Sequence, residues 1–144
     1  MADYDGDGLA DPAVYNRTTG LWAISLSGSG YQIVTMTFGG SGYLPVSADY
    51  DGDGLVDPAI YKPSTAEFQV LLSGSLKTQG IDWWQGVVGS INGTPVPADY
   101  DGDGKADFAV YHQDTGKWEL YPSTQGYQLV WGFFGGPEYQ PVTE

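Results

Sequence analysis

Hydrophobic and polar positions alternate along this chain in short runs, and the runs recur. Glu67–Leu72 reads EFQVLL, apolar at every second position before it closes, the period of a half-buried strand. Four such runs make a unit: Tyr43–Ala48, Pro58–Tyr61, Glu67–Leu72 and Ile81–Val88. Gly and Pro punctuate every junction, and no stretch has a sustained helical period. The expectation is an all-β protein made of short strands and turns.

The unit is an internal repeat. Tyr15, Tyr61 and Tyr111 occupy matching positions, as do Trp22, Phe68 and Trp118, and then Ile24, Val70 and Leu120. Phe38-Gly39-Gly40, Val88-Gly89-Ser90 and Phe134-Gly135-Gly136 correspond, and Pro45-Val46, Pro95-Val96 and Pro141-Val142 follow them. Copies one and three align without gaps, while copy two has four extra residues near Ser75–Gly80. Four strands in a period of 40–50 residues predict a β-propeller blade. A sandwich seldom repeats itself so closely, and solenoid coils are usually shorter. The expected blades are about 1–42, 43–92 and 93–138, within one repeat domain over 1–144.

Between the first two strands of each unit lies an acidic loop, D-x-D-x-D-G-x-x-D. The aspartates are Asp3, Asp5, Asp7 and Asp11, then Asp49, Asp51, Asp53 and Asp57, then Asp99, Asp101, Asp103 and Asp107. Alternating carboxylates on a tight turn converge on one point, and Gly6 and Gly8 permit the positive φ such a turn needs. The carbonyls of Leu9, Leu55 and Lys105 fall where calcium loops donate a main-chain oxygen. Four carboxylates in nine residues repel one another unless a cation sits among them. Calcium, three ions per chain, is the expected cofactor, because magnesium demands a stricter octahedron and keeps its waters. The absence of Cys and the single His disfavour transition metals. A lone DGDG would be only a turn, but three copies with the fourth Asp at one offset exceed that. An EF-hand fits less well: its twelfth position holds Val14, Ile60 and Val110 instead of Glu, and the residues that follow read as strand.

Charge follows from the loops. They hold 12 of the 18 acidic residues, and three divalent ions would bring the formal charge from −13 to −7. Acidity and only five Lys and Arg argue against nucleic acid. No apolar run suits a membrane span. Weak calcium sites fill where the ion is about millimolar, so an extracellular or cell-surface setting is expected. The chain opens on a loop with no signal peptide, as a piece of a longer propeller, natural or engineered, would.

With FGG…YLPVSADYDGDGLVDPAIY in view, the chain resembles the FG-GAP or VCBS-type repeats of bacterial surface proteins and the calcium-binding blades of integrin-like propellers. The resemblance covers essentially the whole chain, and the aspartate loop is its specific part. It implies calcium held by the twelve aspartates, and an adhesion, scaffold or ligand-binding role. This chain departs from the family in having three repeats and no attached domain.

Three blades are too few for a propeller ring, where four to eight are usual. Blade one lacks an inner strand before its loop, and Tyr139–Thr143 is a spare copy of that strand. Exchange between two chains would give six blades in a head-to-tail homodimer. Catalysis is not expected. His112 has no repeat partner and reads as an exposed strand-end residue, and there is no Ser-His-Asp set or nucleophilic Cys. Of the acids outside the loops, Glu67 and Glu119 flank the repeated aromatic, and Asp82 and Asp114 lie apart. Trp22, Phe68 and Trp118 are expected between blades, while Trp83, Trp84 and Trp131 are irregular. Those three are the candidates for a lectin-like sugar platform, with edge packing or a dimer contact as the plainer reading. Partners on this view are a second copy, glycans or surface proteins. The sequons at Asn16 and Asn92 are taken as chance matches.

Overall fold

A computed structural model describes residues 2–73 and 83–142. Their strands form three separate antiparallel sheets, each a meander in chain order. The first contains β1 (Ala13–Tyr15), β2 (Leu21–Leu26) and β3 (Gln32–Thr37). The second contains β4 (Leu44–Pro45), β5 (Ala59–Lys62), β6 (Glu67–Leu71) and β7 (Trp83–Val87). The third contains β8 (Thr94–Pro95), β9 (Phe108–His112), β10 (Lys117–Tyr121) and β11 (Val130–Phe133). The chain is all-β, and among the described residues no helix is long and apolar enough to cross a membrane.

The alternating pattern lands where it was read, with shorter ends. The run predicted as Tyr43–Ala48 is a two-residue strand, because only Leu44 and Pro45 pair, with Tyr61 and Ile60. Val46 adds one more ladder bond, its N–H donating to the Ala59 carbonyl at 2.8 Å. Bonds at Val46 leave Pro45 at the intervening, non-bonded position, where a missing N–H costs nothing. Thr94, Pro95 and Val96 repeat this against Tyr111, Val110 and Ala109. The fourth strand of the second unit runs Trp83–Val87, and Ile81 and Asp82 lie outside the described residues, as does the insertion after Ser73. Residues 139–142, expected to resemble β4 and β8, are in no strand, and Thr143 lies outside the described residues.

Turn chemistry explains the hairpins. Asn16 follows β1 and accepts the N–H groups of Thr18 and Thr19 on Oδ1 at 2.9 and 3.0 Å. The repeated aromatics meet across the next strand pair: Tyr15–Trp22, Tyr61–Phe68 and Tyr111–Trp118 have ring centroids 4.8, 4.6 and 4.9 Å apart. These rings were expected between blades, and the structure places them first within a sheet, since they sit opposite one another in register. Among described ring contacts, only Phe68 of the three also reaches the next sheet, where Phe108 lies 5.2 Å away.

Phe108 is the hub between sheets two and three. Tyr50 and Trp84 stack on it at 5.1 and 4.5 Å, and Tyr127 tilts against it at 5.7 Å. Val46, Tyr61, Val70, Val88 and Val110 complete this core. Burial of such side chains is worth about 1.5–3 kcal/mol each. The junction glycines admit the neighbouring sheet closely. A Cβ on Gly39 would lie 2.8 Å from Ile60 Cδ1, and one on Gly89 would lie 3.3 Å from Val110 Cγ2.

One polar tie crosses the same junction. Glu119 on β10 is almost fully buried and accepts the Ser90 N–H at 2.7 Å and hydroxyl at 2.9 Å. Lys117 Nζ lies 2.6 Å from it and His112 Nε2 3.0 Å. His112 ends its strand as expected but is largely covered, because the register sets it beside Lys117 and near Glu119. Burial alone would raise the Glu119 carboxyl, but Lys117, Ser90 and His112 outweigh it and hold the carboxyl at about 2, below the usual 4.5. A depressed carboxylate contributes stability above its ordinary range, lost as pH falls through the folded value. Glu119→Gln should therefore cost about 2 kcal/mol at neutral pH, and melting curves of the two proteins should converge as pH falls from about 4.5 toward 2. A gap that persists unchanged at pH 2 would reject this account.

Candidate metal centre

Each acidic loop leads into a strand, β1, β5 or β9, so the residues after it do not form the second helix an EF-hand needs. The turn is held by its own aspartates. Asp3 accepts the N–H groups of Gly6 and Gly8 at 2.6 and 2.8 Å. Asp49 does the same for Gly52 and Gly54 at 2.7 and 2.9 Å, and Asp99 for Gly102 and Gly104 at 2.6 and 3.0 Å. Gly6 and Gly8 stand at φ 84° and 85°, a region that strains any residue with a Cβ. Leu9, Leu55 and Lys105, expected to supply carbonyl oxygens, are fixed through their N–H groups, which donate to Asp7, Asp53 and Asp103.

The fourth aspartate has a second duty that spacing did not reveal. Asp57 accepts the N–H of Tyr50 on one oxygen at 2.8 Å and that of Ser73 on the other at 2.7 Å. Asp11 bonds Tyr4 and Ser27 in this way, and Asp107 bonds Tyr100 and Ser123. All three are buried. Each ties the start of its loop to a corner 16 residues further on. That corner, a 3-10 turn at Ser27–Ser29 and again at Ser123–Gln125, folds back over the loop. Gly28 N–H donates to Asp5 at 2.9 Å, and Thr124 gives Asp101 both its N–H, at 3.0 Å, and its hydroxyl, at 2.6 Å. Ser27 and Ser123 hydroxyls donate to Asp7 and Asp103. The recurring serine at a fixed offset was the signal for this wall of the site.

Three sets of carboxylate oxygens lie within 4.8 Å of one another: Asp3, Asp5 and Asp11; Asp49, Asp51 and Asp53; Asp99, Asp101 and Asp107. Asp7, Asp57 and Asp103 stand outside these sets. Burial raises the Asp51 carboxyl, and the charges of Asp53 and Asp49 raise it further. Asp57 is also raised, by burial first and by Asp51 in addition. Asp11 goes the other way: burial would raise it, but the N–H groups of Ser27 and Tyr4 hold it below the ordinary range. Asp101 is lowered chiefly by the Thr124 hydroxyl. Its other oxygen, Oδ1, is screened from solvent and makes no well-formed hydrogen bond among the described residues, although the Asp103 N–H also helps to lower the carboxyl. A screened carboxylate oxygen so weakly served, beside two further carboxylates, fits an oxygen-seeking cation.

Of the aromatic candidates, Trp84 and Trp131 lie on different sheets. Trp84 stacks on Phe108 at the sheet junction while staying partly exposed. Trp131 lies on β11 of another sheet, 60% exposed, with Phe133 edge-on at 5.8 Å. Trp83 is in β7, and its side chain lies outside the described residues. Glu67 is engaged by the amides of Gln69 and Gln85. Comparison with protein-family models, with curated proteins and with solved structures finds no match.

Proposed function

We propose that this chain is a calcium-binding β-propeller module in which each sheet is a blade and each aspartate loop holds one ion, three in all. The ion's role is structural, and the module serves protein interaction or adhesion at an extracellular or cell-surface site, without catalysis. The reading is supported above all by one observation: the same wiring of the first, third and fourth aspartates, two glycines and a corner serine recurs in three loops, and in the third a screened carboxylate oxygen makes no well-formed hydrogen bond among the described residues. Such a cluster of negative charge is unfavourable until a divalent ion enters it. The resemblance to FG-GAP and VCBS-type repeats points the same way. Isothermal titration with calcium should give a stoichiometry of three with a weaker response to magnesium. No heat, together with no change in melting, would overturn the calcium reading.

A lectin-like role is the second reading, supported by the exposed Trp131–Phe133 pair. Flat exposed aromatics suit the apolar face of a sugar ring. A glycan array with saturable binding that Trp131→Ala abolishes would establish it, and silence across the array would leave the interaction module.

A further inference from the structure

The two internal junctions of this molecule share a set of contacts, and the molecule's two outer faces each hold half of that set. Pro45 pairs with Ile60, and Pro95 with Val110. Val46 N–H donates to the Ala59 carbonyl, and Val96 N–H to that of Ala109. The loops are linked as well: Val56 N–H donates to the Asp3 carbonyl at 2.7 Å, and Ala106 N–H to the Asp49 carbonyl at 2.6 Å. Gly39 seats Ile60, and Gly89 seats Val110. At the next step of the repeat the same roles fall to Pro141, Val142, Asp99 and Gly135 on the third sheet, and to Val14, Ala13 and Ala10 on the first. There these partners do not meet. Val142 is 97% exposed and Val14 is 70% exposed, whereas Ile60 and Val110 are fully buried. No backbone bond among the described residues takes up the Ala10 N–H or the Asp99 carbonyl.

We infer that the open edge of the first sheet is an interface for residues 140–142 of a second copy of this chain, in the register of the internal junctions. Gln140 and Pro141 of one copy pair with Tyr15 and Val14 of the other. Val142 N–H then donates to the Ala13 carbonyl, Ala10 N–H to the Asp99 carbonyl, and Val14 seats on Gly135. Two copies joined head to tail make this junction twice and close a ring of six blades, inside the usual range of four to eight. The inference rests on the blade reading above, but not on occupancy of the loops by calcium.

Several features favour a second copy as the occupant. The exposed valines are apolar, the backbone groups are complementary donor and acceptor, and the register is already realised twice within the chain. An unpaired strand edge beside an unpaired strand-like segment is a template for pairing. Pro141, like Pro45 and Pro95, takes the non-bonded position of the ladder, so its missing N–H is no obstacle.

The test is mass in solution by light scattering, with calcium and with excess chelator. The expected value is about 31 kDa, twice the chain mass of 15.4 kDa. Val14→Asp or Val142→Asp should halve it while the circular dichroism spectrum persists, since both side chains are already exposed within one copy. Val14→Cys with Pro141→Cys places a disulfide at a non-bonded cross-strand pair, where Cβ atoms approach most closely. It should trap a dimer on a non-reducing gel, and no native cysteine competes. A wild-type mass of about 15 kDa in both conditions would overturn the proposal, as would a dimer untouched by Val14→Asp. A disulfide formed within one chain, or a mass well above two copies, would overturn it too. A dimer without calcium heat rejects only the calcium reading, and calcium heat from a monomer rejects only this one.

Discussion

Excess chelator should lower the melting midpoint of this protein by about 20 °C relative to millimolar calcium. A ligand that binds only the folded form stabilises it by about 2.7 kcal/mol when its concentration is a hundred times its dissociation constant. Three such loops sum to about 8 kcal/mol, comparable with the whole stability of an ordinary domain. At about 2–4 °C per kcal/mol for a chain near this length, the shift is the one stated. Removing the ion also returns the repulsion among carboxylates whose oxygens lie within 4.8 Å of one another. Asp53→Asn isolates the charge. Its amide oxygen still accepts the Leu55 N–H, so the turn survives. The variant should lose about a third of the calcium-dependent shift, yet melt no lower than the parent in chelator. Differential scanning calorimetry in both buffers reads the two numbers directly, and equal melting of the parent with and without calcium would sink the claim.

Legibility differed by element, for physical reasons. The loops were readable because alternating aspartates, and glycine where φ turns positive, are written directly in residue types. Strand type was readable from period two, but length was not. Tyr43–Ala48 offers six residues of strand-like sequence, and only two pair, because the loop and its bridge at Ala48 and Asp57 claim the rest. The corner serines were missed because serine is common in turns, and its meaning here lies in a contact 16 residues away. Departures from the repeat were also hidden. Tyr15 and Tyr111 hydroxyls accept the N–H groups of Gly40 and Gly136, but the matching N–H of Ser90 turns to Glu119. The Tyr61 hydroxyl is left buried without a partner among the described residues, and burial pushes it up to about 12. One substitution, Glu119 where the other copies have Ala23 and Gln69, redirects that junction. Phe108 likewise stands where the other copies have proline, and becomes the aromatic hub.

The fourth aspartate of each loop should prove costlier to lose than any of the other three, and most of that cost should remain when calcium is removed. Asp57 is fully buried, and its two oxygens serve the N–H groups of Tyr50 and Ser73, both in buried residues. Alanine at 57 leaves two buried donors unsatisfied, at about 1–3 kcal/mol each, in addition to the lost packing. The expected cost is about 3–5 kcal/mol, a drop of about 10 °C or more, most of which remains in chelator. Asp57→Asn should fall between, since its amide keeps one acceptor oxygen but turns a donor toward the second N–H. The exposed Asp53 sets the contrast, because its loss changes the calcium increment and little else. If Asp57→Ala melted with the parent in chelator, the buried carboxylate would be only a metal ligand. If it melts far below, the fourth aspartate is a strut that shapes each loop before any ion arrives. The threefold repetition of its two bonds then reflects folding as much as binding, and calcium tightens a loop that is already built.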